Sequence, residues 1–274
     1  MKETPRPEIQ TTGWLEKALV LALMCGLAVL MTWPMAPSLD TTINDFGDPL
    51  LNSWIMWWDV TSLTTPGLSF WNAPIFHPEV LTLAYSENLL ASALTISPLL
   101  LAGFDALTAH NVMFLLSFAF CGFGGYLLGF QVTGNRLASL MCGLAFAFAP
   151  YRFGHMGHLQ MLTAHFIPFA LLFLHRWAIR PTWGRALGWG LCWLGQILSC
   201  GYYGLFLSLT IGLFLLYYGW RRELWKNKRH WLTAALALAL VMAVAVPLFA
   251  PYSKVKKKYG FTRSPGEVVH YSGK

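Results

Sequence analysis

Hydrophobic residues in this chain do not alternate with polar ones but run in long blocks. Seven of these, at 15–35, 108–130, 136–150, 161–178, 186–200, 203–220 and 231–250, each predict a membrane-crossing helix, because about 20 residues at a rise of 1.5 Å cover the hydrocarbon core. The first block, preceded by a polar stretch that ends at Lys17, continues to Trp33-Pro34 without a small-residue cleavage site, so it reads as an uncleaved first span and not a signal peptide. The expected fold is an all-α integral membrane domain over 1–250, followed by an outer tail over 251–274. The polar and irregular stretch at 36–107 forms a large loop between the first two spans.

That loop is punctuated. Pro66-Gly67, Asn72-Ala73-Pro74 and His77-Pro78 mark turns, and two helical segments lie between them. Pro49 to Val60 predicts a short interfacial helix, with Asp48 as its cap before proline at the first position and tryptophans suited to the membrane surface. Leu89 to Phe104 is apolar but only sixteen residues long, with Pro98 inside it, and is marginal for a crossing.

Charge decides that ambiguity. Between Ala18 and Asn135 there is no Lys or Arg, while seven of the twelve acidic residues fall there, which places the loop on the outer face. If 89–104 is juxtamembrane or re-entrant, Arg136, the group Arg176, Arg180 and Arg185, and the group from Arg221 to Arg229 all fall on the cytoplasmic side, as does the N-terminus. Lys254, Lys256, Lys257, Lys258 and Arg263 then lie outside, against that trend. A multi-pass protein of the bacterial inner membrane is the expected location.

Composition agrees: 56% of residues are apolar and 11% charged, with a mean hydropathy of +0.50, outside the soluble globular range. The net charge of +7 comes from short basic clusters between apolar blocks, which suits an anionic leaflet and not nucleic acid. The five cysteines lie in or beside apolar blocks without metal-type spacing and read as packing residues, as do Gly122, Gly124 and Gly125. No phosphate loop, nucleophile elbow or dinucleotide fingerprint is present.

Polar residues gather at three places on the expected outer face, where an ionisable side chain is costly unless it is paired or wet. Asp45 and Asp48, three apart with Asn52 beyond them, can turn both carboxylates one way, to accept a hydroxyl proton or help hold a divalent cation; the alternative is a cap and a solvated side chain. Glu87, beside Tyr85, either caps the helix that follows or meets substrate. Arg152, His155, His158 and Gln160 form the densest polar cluster beside a span. On a helix its histidines lie one turn apart and, with Arg152, suit a phosphate or lipid headgroup; interfacial hydrogen bonding and a metal are the other readings. Tyr202, within Ser199 to Gly204, belongs either to a tight outer turn or to a substrate-lining surface.

In order, GDPLLNSW at 47–54, AYSENLL at 84–90 and PYRFGHMGHLQ at 150–160 resemble bacterial multi-spanning glycosyltransferases of the GT-C superfamily, relatives of protein O-mannosyltransferases and lipid A aminoarabinose transferases. The resemblance covers most of 15–250. It implies transfer of a sugar from a polyprenyl-phosphate donor to a glycan, lipid or protein acceptor on the outer face, with the catalytic carboxylate in the first outer loop, at Asp48 or Asp45. It further implies that Arg152, His155 and His158 face the donor phosphate or the acceptor, and that juxtamembrane helices occupy the loop. GT-C enzymes have more spans and often a further outer domain, so the polar end from Phe261 is expected to be where a longer protein is cut. Two other classes compete: a lipid or sugar transporter, which predicts charges deep within the spans, and a noncatalytic membrane subunit.

Overall fold

A computed structural model describes residues 8–260, 264–266 and 269, excluding the side chains of Arg222 and Trp225. Among these residues every regular element is helical. The α-helices are α1 (Trp14–Met31), α2 (Asp48–Thr64), α3 (Leu90–Leu101), α4 (Ala106–Thr133), α5 (Arg136–Ala147), α6 (Pro150–Gly154), α7 (Leu159–Leu162), α8 (Phe166–Ile179), α9 (Trp183–Ser199), α10 (Gly201–Arg222) and α11 (Lys228–Tyr259).

Six stretches among the described residues are long and apolar enough to cross a membrane: Trp14–Met31, Ala106–Thr133, Arg136–Gly154, Leu159–Ile179, Gly201–Arg221 and Lys228–Tyr259. The seventh expected span corresponds to α9. It starts at Trp183 behind the cap of Thr182, stops where Cys200 turns extended, and counts 17 residues. It packs against α8, α10 and α11.

The central helix is α4, which touches α1, α2, α3, α5 and α8. Asp105 caps it by accepting from the Thr108 N–H at 2.9 Å, and Gly134, at φ +64°, ends it in the left-handed conformation that glycine adopts without a Cβ clash. Asn135 then caps α5 at once, its Oδ1 3.0 Å from the Ala138 nitrogen, so α4 and α5 fold back on each other through a two-residue link. Their contact is close because it is made by glycines: a Cβ on Gly143 would stand 2.6 Å from the Gly122 carbonyl, and one on Gly129 3.0 Å from Ser139 Cα.

The first, third and fourth expected spans are shorter as helices, ending at Met31, ending at Ala147 and starting at Phe166, and three further boundaries bear on the outer loop. Gly47, not Asp48, is the cap of α2, with no side-chain cap bond, and the helix runs four residues past Val60 to Thr64; Asp48 is its first residue and its carboxylate is left for other partners. The helix at 89–104 is only 12 residues, Leu90–Leu101, too short to cross on its own. The last helix does not stop at 250 but continues through Pro247 and Pro251 to Tyr259. Its extra turns are docked on the loop: Val255 is buried, Tyr252 meets the backbone of Ser86 at 3.0 Å, and Lys258 pairs with Glu79 at 2.8 Å. Tertiary contacts thus extend a helix past the end of its apolar block. Most of 261–274 lies outside the described residues.

Helix ends sort into two poles. At one, Glu16 of α1 pairs with Arg136 of α5 at 3.0 Å and accepts from Tyr126, while Arg176 of α8 donates to Gln131 and to the Gln10 carbonyl, both at 2.7 Å. At the other pole, Asn111 holds the Leu39 and Thr42 carbonyls at 2.8 and 2.7 Å, and the loop between α1 and α3 meets the segment between α5 and α8. The acidic stretch and the arginine–histidine corner of the sequence therefore share one end of the bundle.

Candidate functional site

The segment between Leu81 and Leu89 is shaped by its neighbours. Both leucines are left-handed, at φ +60° and +52°, a conformation costing about 1–3 kcal/mol for a residue with a side chain. Two bonds on Asn72 and Ala73 hold the first end: Leu81 N–H to Asn72 Oδ1 at 2.9 Å and Thr82 Oγ1 to the Ala73 carbonyl at 2.8 Å. Burial of the Leu89 side chain, 1% exposed, holds the second. Between these bends Tyr85, Ser86, Glu87 and Asn88 are presented to a cavity of 530 Å³, closed on the other side by Gln160, by Cys200, Gly201 and Tyr202, by Tyr252, and by apolar walls that include Ile197, Leu205 and Phe249.

Glu87 does not cap α3. The N-cap is Leu89, without a side-chain cap bond; the residue before it, Asn88, accepts from the Leu90 N–H through Oδ1 at 3.0 Å while its amide nitrogen donates to Tyr252 at 3.1 Å. Glu87 reaches instead to the start of α10, where Oε1 accepts from the Gly201 N–H at 3.1 Å, one of the unsatisfied donors at a helix N-terminus. Its Oε2 is buried without a hydrogen-bond partner. Burial raises the carboxyl above its ordinary value, opposed by the Gly201 N–H, the Cys200 thiol and the Tyr202 N–H. Glu87 is thus fixed at one oxygen and open at the other, on a cavity wall.

A second group lies at the start of α2. Asp45 Oδ1 accepts from the Gly47 N–H at 2.7 Å, and a Cβ on Gly157 would stand 3.5 Å from Asp45 Cβ. Asp48 Oδ2 is 3.6 Å from His158 Nε2, with both side chains about half exposed. The His155 ring lies 5.5 Å from that of His158 and 4.2 Å from that of Tyr151. It titrates below the ordinary histidine value because of partial burial first and His158 second. The two histidines are not on one helix, since α6 ends at Gly154 and His158 is the residue before α7. Even so, the short link keeps them side by side. Among the described residues no three His, Cys, Asp or Glu side chains are grouped to hold a metal ion.

The two groups are joined. Asn52, one turn after Asp48 on α2, is buried and donates to Gln160 Oε1 at 3.0 Å, and Gln160 lines the cavity. Of the residues expected from sequence, Glu87, Tyr85, Gln160 and Tyr202 line that cavity, Asn52 touches it through Gln160, and Asp45, Asp48, His155 and His158 lie outside that lining as a more exposed group, the rim, in which His155 is partly buried. Arg152 belongs to neither. It is 4% exposed, its guanidinium lies over the Phe118 ring at 4.6 Å, and Nη2 reaches Ser117 Oγ at 3.5 Å.

Two residues gave no warning in the sequence. Tyr252 follows Pro251 in what reads as a tail. Asp59 looked like one more loop carboxylate, yet it is fully buried with neither oxygen hydrogen-bonded, and burial pushes it up to about 9, so it is a neutral acid at pH 7. The signal was positional: Asn52, Met56 and Asp59 recur at helical spacing on the buried face of α2. Cys200 and Gly201 were read with a tight turn and are part of the cavity wall.

No protein-family model, curated protein or solved structure matches this chain.

Proposed function

We propose that this chain is a membrane glycosyltransferase of the GT-C type, embedded in the bacterial inner membrane with its N-terminus in the cytoplasm and α9 as a seventh span. It moves a sugar from a polyprenyl phosphate to an acceptor at the outer pole. The observation that carries this reading is a carboxyl-bearing cavity whose lining combines polar side chains with apolar helix walls, at the pole that gathers the acidic loop. Such a cavity suits a ligand with a hydroxylated head and an isoprenoid tail. Each buried methylene of the tail contributes about 0.8 kcal/mol, so lipid supplies affinity while the polar groups orient the sugar.

In the proposed reaction an acceptor hydroxyl attacks the anomeric carbon. The new carbon–oxygen bond forms as the bond to the phosphate oxygen breaks, the configuration inverts, and polyprenyl phosphate leaves with the electron pair. Asp48, exposed and next to His158, takes the hydroxyl proton, and Asp45 stands close by. Asp45 and Asp48 also offer hard oxygen ligands for a divalent cation that would balance the leaving phosphate. Glu87, Tyr85, Gln160 and Tyr202 bind the substrate, and His155 and His158 supply positive charge toward phosphate when protonated.

The test is consumption of polyprenyl-phosphate sugar by the full chain in liposomes. Cleavage of the sugar–phosphate bond in the presence of acceptor, lost in Asp48→Asn, supports the proposal; an inert protein with any acceptor class, or full activity in Asp48→Asn, overturns it. One observation favours transport as a second reading, the buried neutral carboxyl of Asp59, which could exchange a proton with a moving cargo. Movement of the intact lipid-linked sugar between leaflets, without bond cleavage, identifies that case.

A further inference from the structure

Helices α8, α10 and α11 enclose a groove of 280 Å³ whose walls, including Trp177, Leu216, Trp220 and Trp231, are almost wholly apolar. Its size is near the lower end, about 300 Å³, of small-ligand pockets. One polar side chain interrupts the lining. His230 is 7% exposed, its ring meets Trp177 edge-on at 5.0 Å, and its Nε2 lies 3.4 Å from the Ala178 carbonyl, which takes that N–H. The other nitrogen, Nδ1, is buried and has no hydrogen-bond partner among the described residues, an acceptor on the one polar side chain of an apolar groove.

The surroundings narrow the occupant. Trp220 and Trp231 are 77% and 62% exposed, as expected of indoles at headgroup depth. Arg221 follows Trp220 directly, and Lys228 and Arg229 precede His230; all three are exposed. The nearby Lys226 is already paired with Glu223 at 2.7 Å. A groove of similar size, 290 Å³, between α4, α5 and α8 has no buried unpartnered polar side chain in its lining.

We propose that the α8–α10–α11 groove is a binding site for one anionic phospholipid with a hydroxylated headgroup, independent of the reaction proposed above. An acyl chain lies against the tryptophans, the phosphate sits among Arg221, Lys228 and Arg229, and a headgroup hydroxyl donates to His230 Nδ1. Basic pockets between helices at a membrane surface select anionic lipids by the same electrostatics.

The experiment is native mass spectrometry of the full chain released from nanodiscs made of equal parts phosphatidylglycerol and phosphatidylcholine. The expected result is one retained phosphatidylglycerol, favoured about tenfold over phosphatidylcholine. Lys228→Gln with Arg229→Gln should keep one lipid but bring the preference to within about twofold, while Gly219→Leu, which fills the groove, should lose the lipid. Lys256→Gln with Lys257→Gln, at the opposite pole, should leave the preference intact. Equal retention of the two lipids by the unmodified chain overturns the proposal, as does loss of the preference in the Lys256/Lys257 variant or undiminished phosphatidylglycerol in Gly219→Leu. If Gly219→Leu does not assemble, the unmodified ratio and the two charge variants decide.

Discussion

Asp48 and Glu87 come from the same acidic loop and sit at the same pole, yet their surroundings are opposite. Asp48 is half exposed beside a histidine at 3.6 Å. Glu87 is pinned by the Gly201 N–H and raised by burial, so its position is fixed and its charge costly. In the proposed reaction the exposed carboxylate is the proton acceptor and the fixed one orients substrate, although burial is the situation that raises a carboxyl toward the pH at which a general base works best. Two carboxyls of one loop thus differ in solvent access and in how firmly they are held.

The sharpest break of that comparison is Asp48→Asn. If Asp48 is the base, turnover should fall by about 10²–10⁴-fold with unchanged melting temperature, because no buried contact is lost. If turnover instead collapses only in Glu87→Gln, the roles are exchanged.

Buried carboxyls also predict how stability responds to pH. Asp59 holds its proton up to about 9 when folded, against an ordinary value of 3.8, so between those limits the folded chain carries a proton that the unfolded chain has released. Its contribution is fully present below the ordinary value and is lost as pH rises through the folded one, at about 1.4 kcal/mol per pH unit. Thermal unfolding in detergent at pH 5 through 8 should show that decline. Asp59→Asn should flatten most of it, and Glu87, shifted in the same direction, accounts for a smaller remainder. A slope unchanged in Asp59→Asn would mean that water reaches this carboxyl.

Next in size is Glu87 itself. Glu87→Gln keeps an acceptor for the Gly201 N–H, so stability should hold while KM for the donor rises about tenfold, equivalent to about 1.4 kcal/mol. Glu87→Ala should in addition lose about 1–3 kcal/mol of stability, because the helix N–H is left unsatisfied. Equal stability of the two variants would show that the α10 terminus does not depend on this bond.

These residues also show what a one-dimensional pattern conveys. Apolar blocks located the long helices because a membrane span is a local property, while the missing basic residues from Ala18 to Asn135 bear on the side of the membrane, a matter separate from the helix positions. Charge parity also ranked Leu90–Leu101 below a full crossing, where length alone was ambiguous. What stayed hidden depends on contacts distant in sequence. Tyr252 reaches the cavity only because α11 runs past its apolar block to dock on Ser86. Arg152 was read with its histidine neighbours, but its guanidinium turned inward onto Phe118, a choice no spacing reveals. Asp48 appeared as a cap because capping is judged by residue type, whereas the backbone began its helix one residue sooner.

The smallest effect concerns the bond that joins rim to cavity. Asn52 and Gln160 are 108 residues apart in sequence and 3.0 Å apart in space, and Asn52 is buried. Asn52→Ala should cost about 1 kcal/mol, with Gln160→Ala costing about the same and the double variant little more than either, since both remove one bond. If the bond serves only to hold α2 against α7, turnover should follow stability. If it also aligns Asp48 with the cavity, Asn52→Ala should lower turnover several-fold at a temperature where the chain is still fully folded, and Asn52→Asp, which cannot donate to Gln160 when ionised, should do the same. Turnover that stays constant in all four variants would mean that the exposed rim and the buried cavity work without mechanical connection, and would leave the Asp48–Asn52–Gln160 alignment a matter of packing.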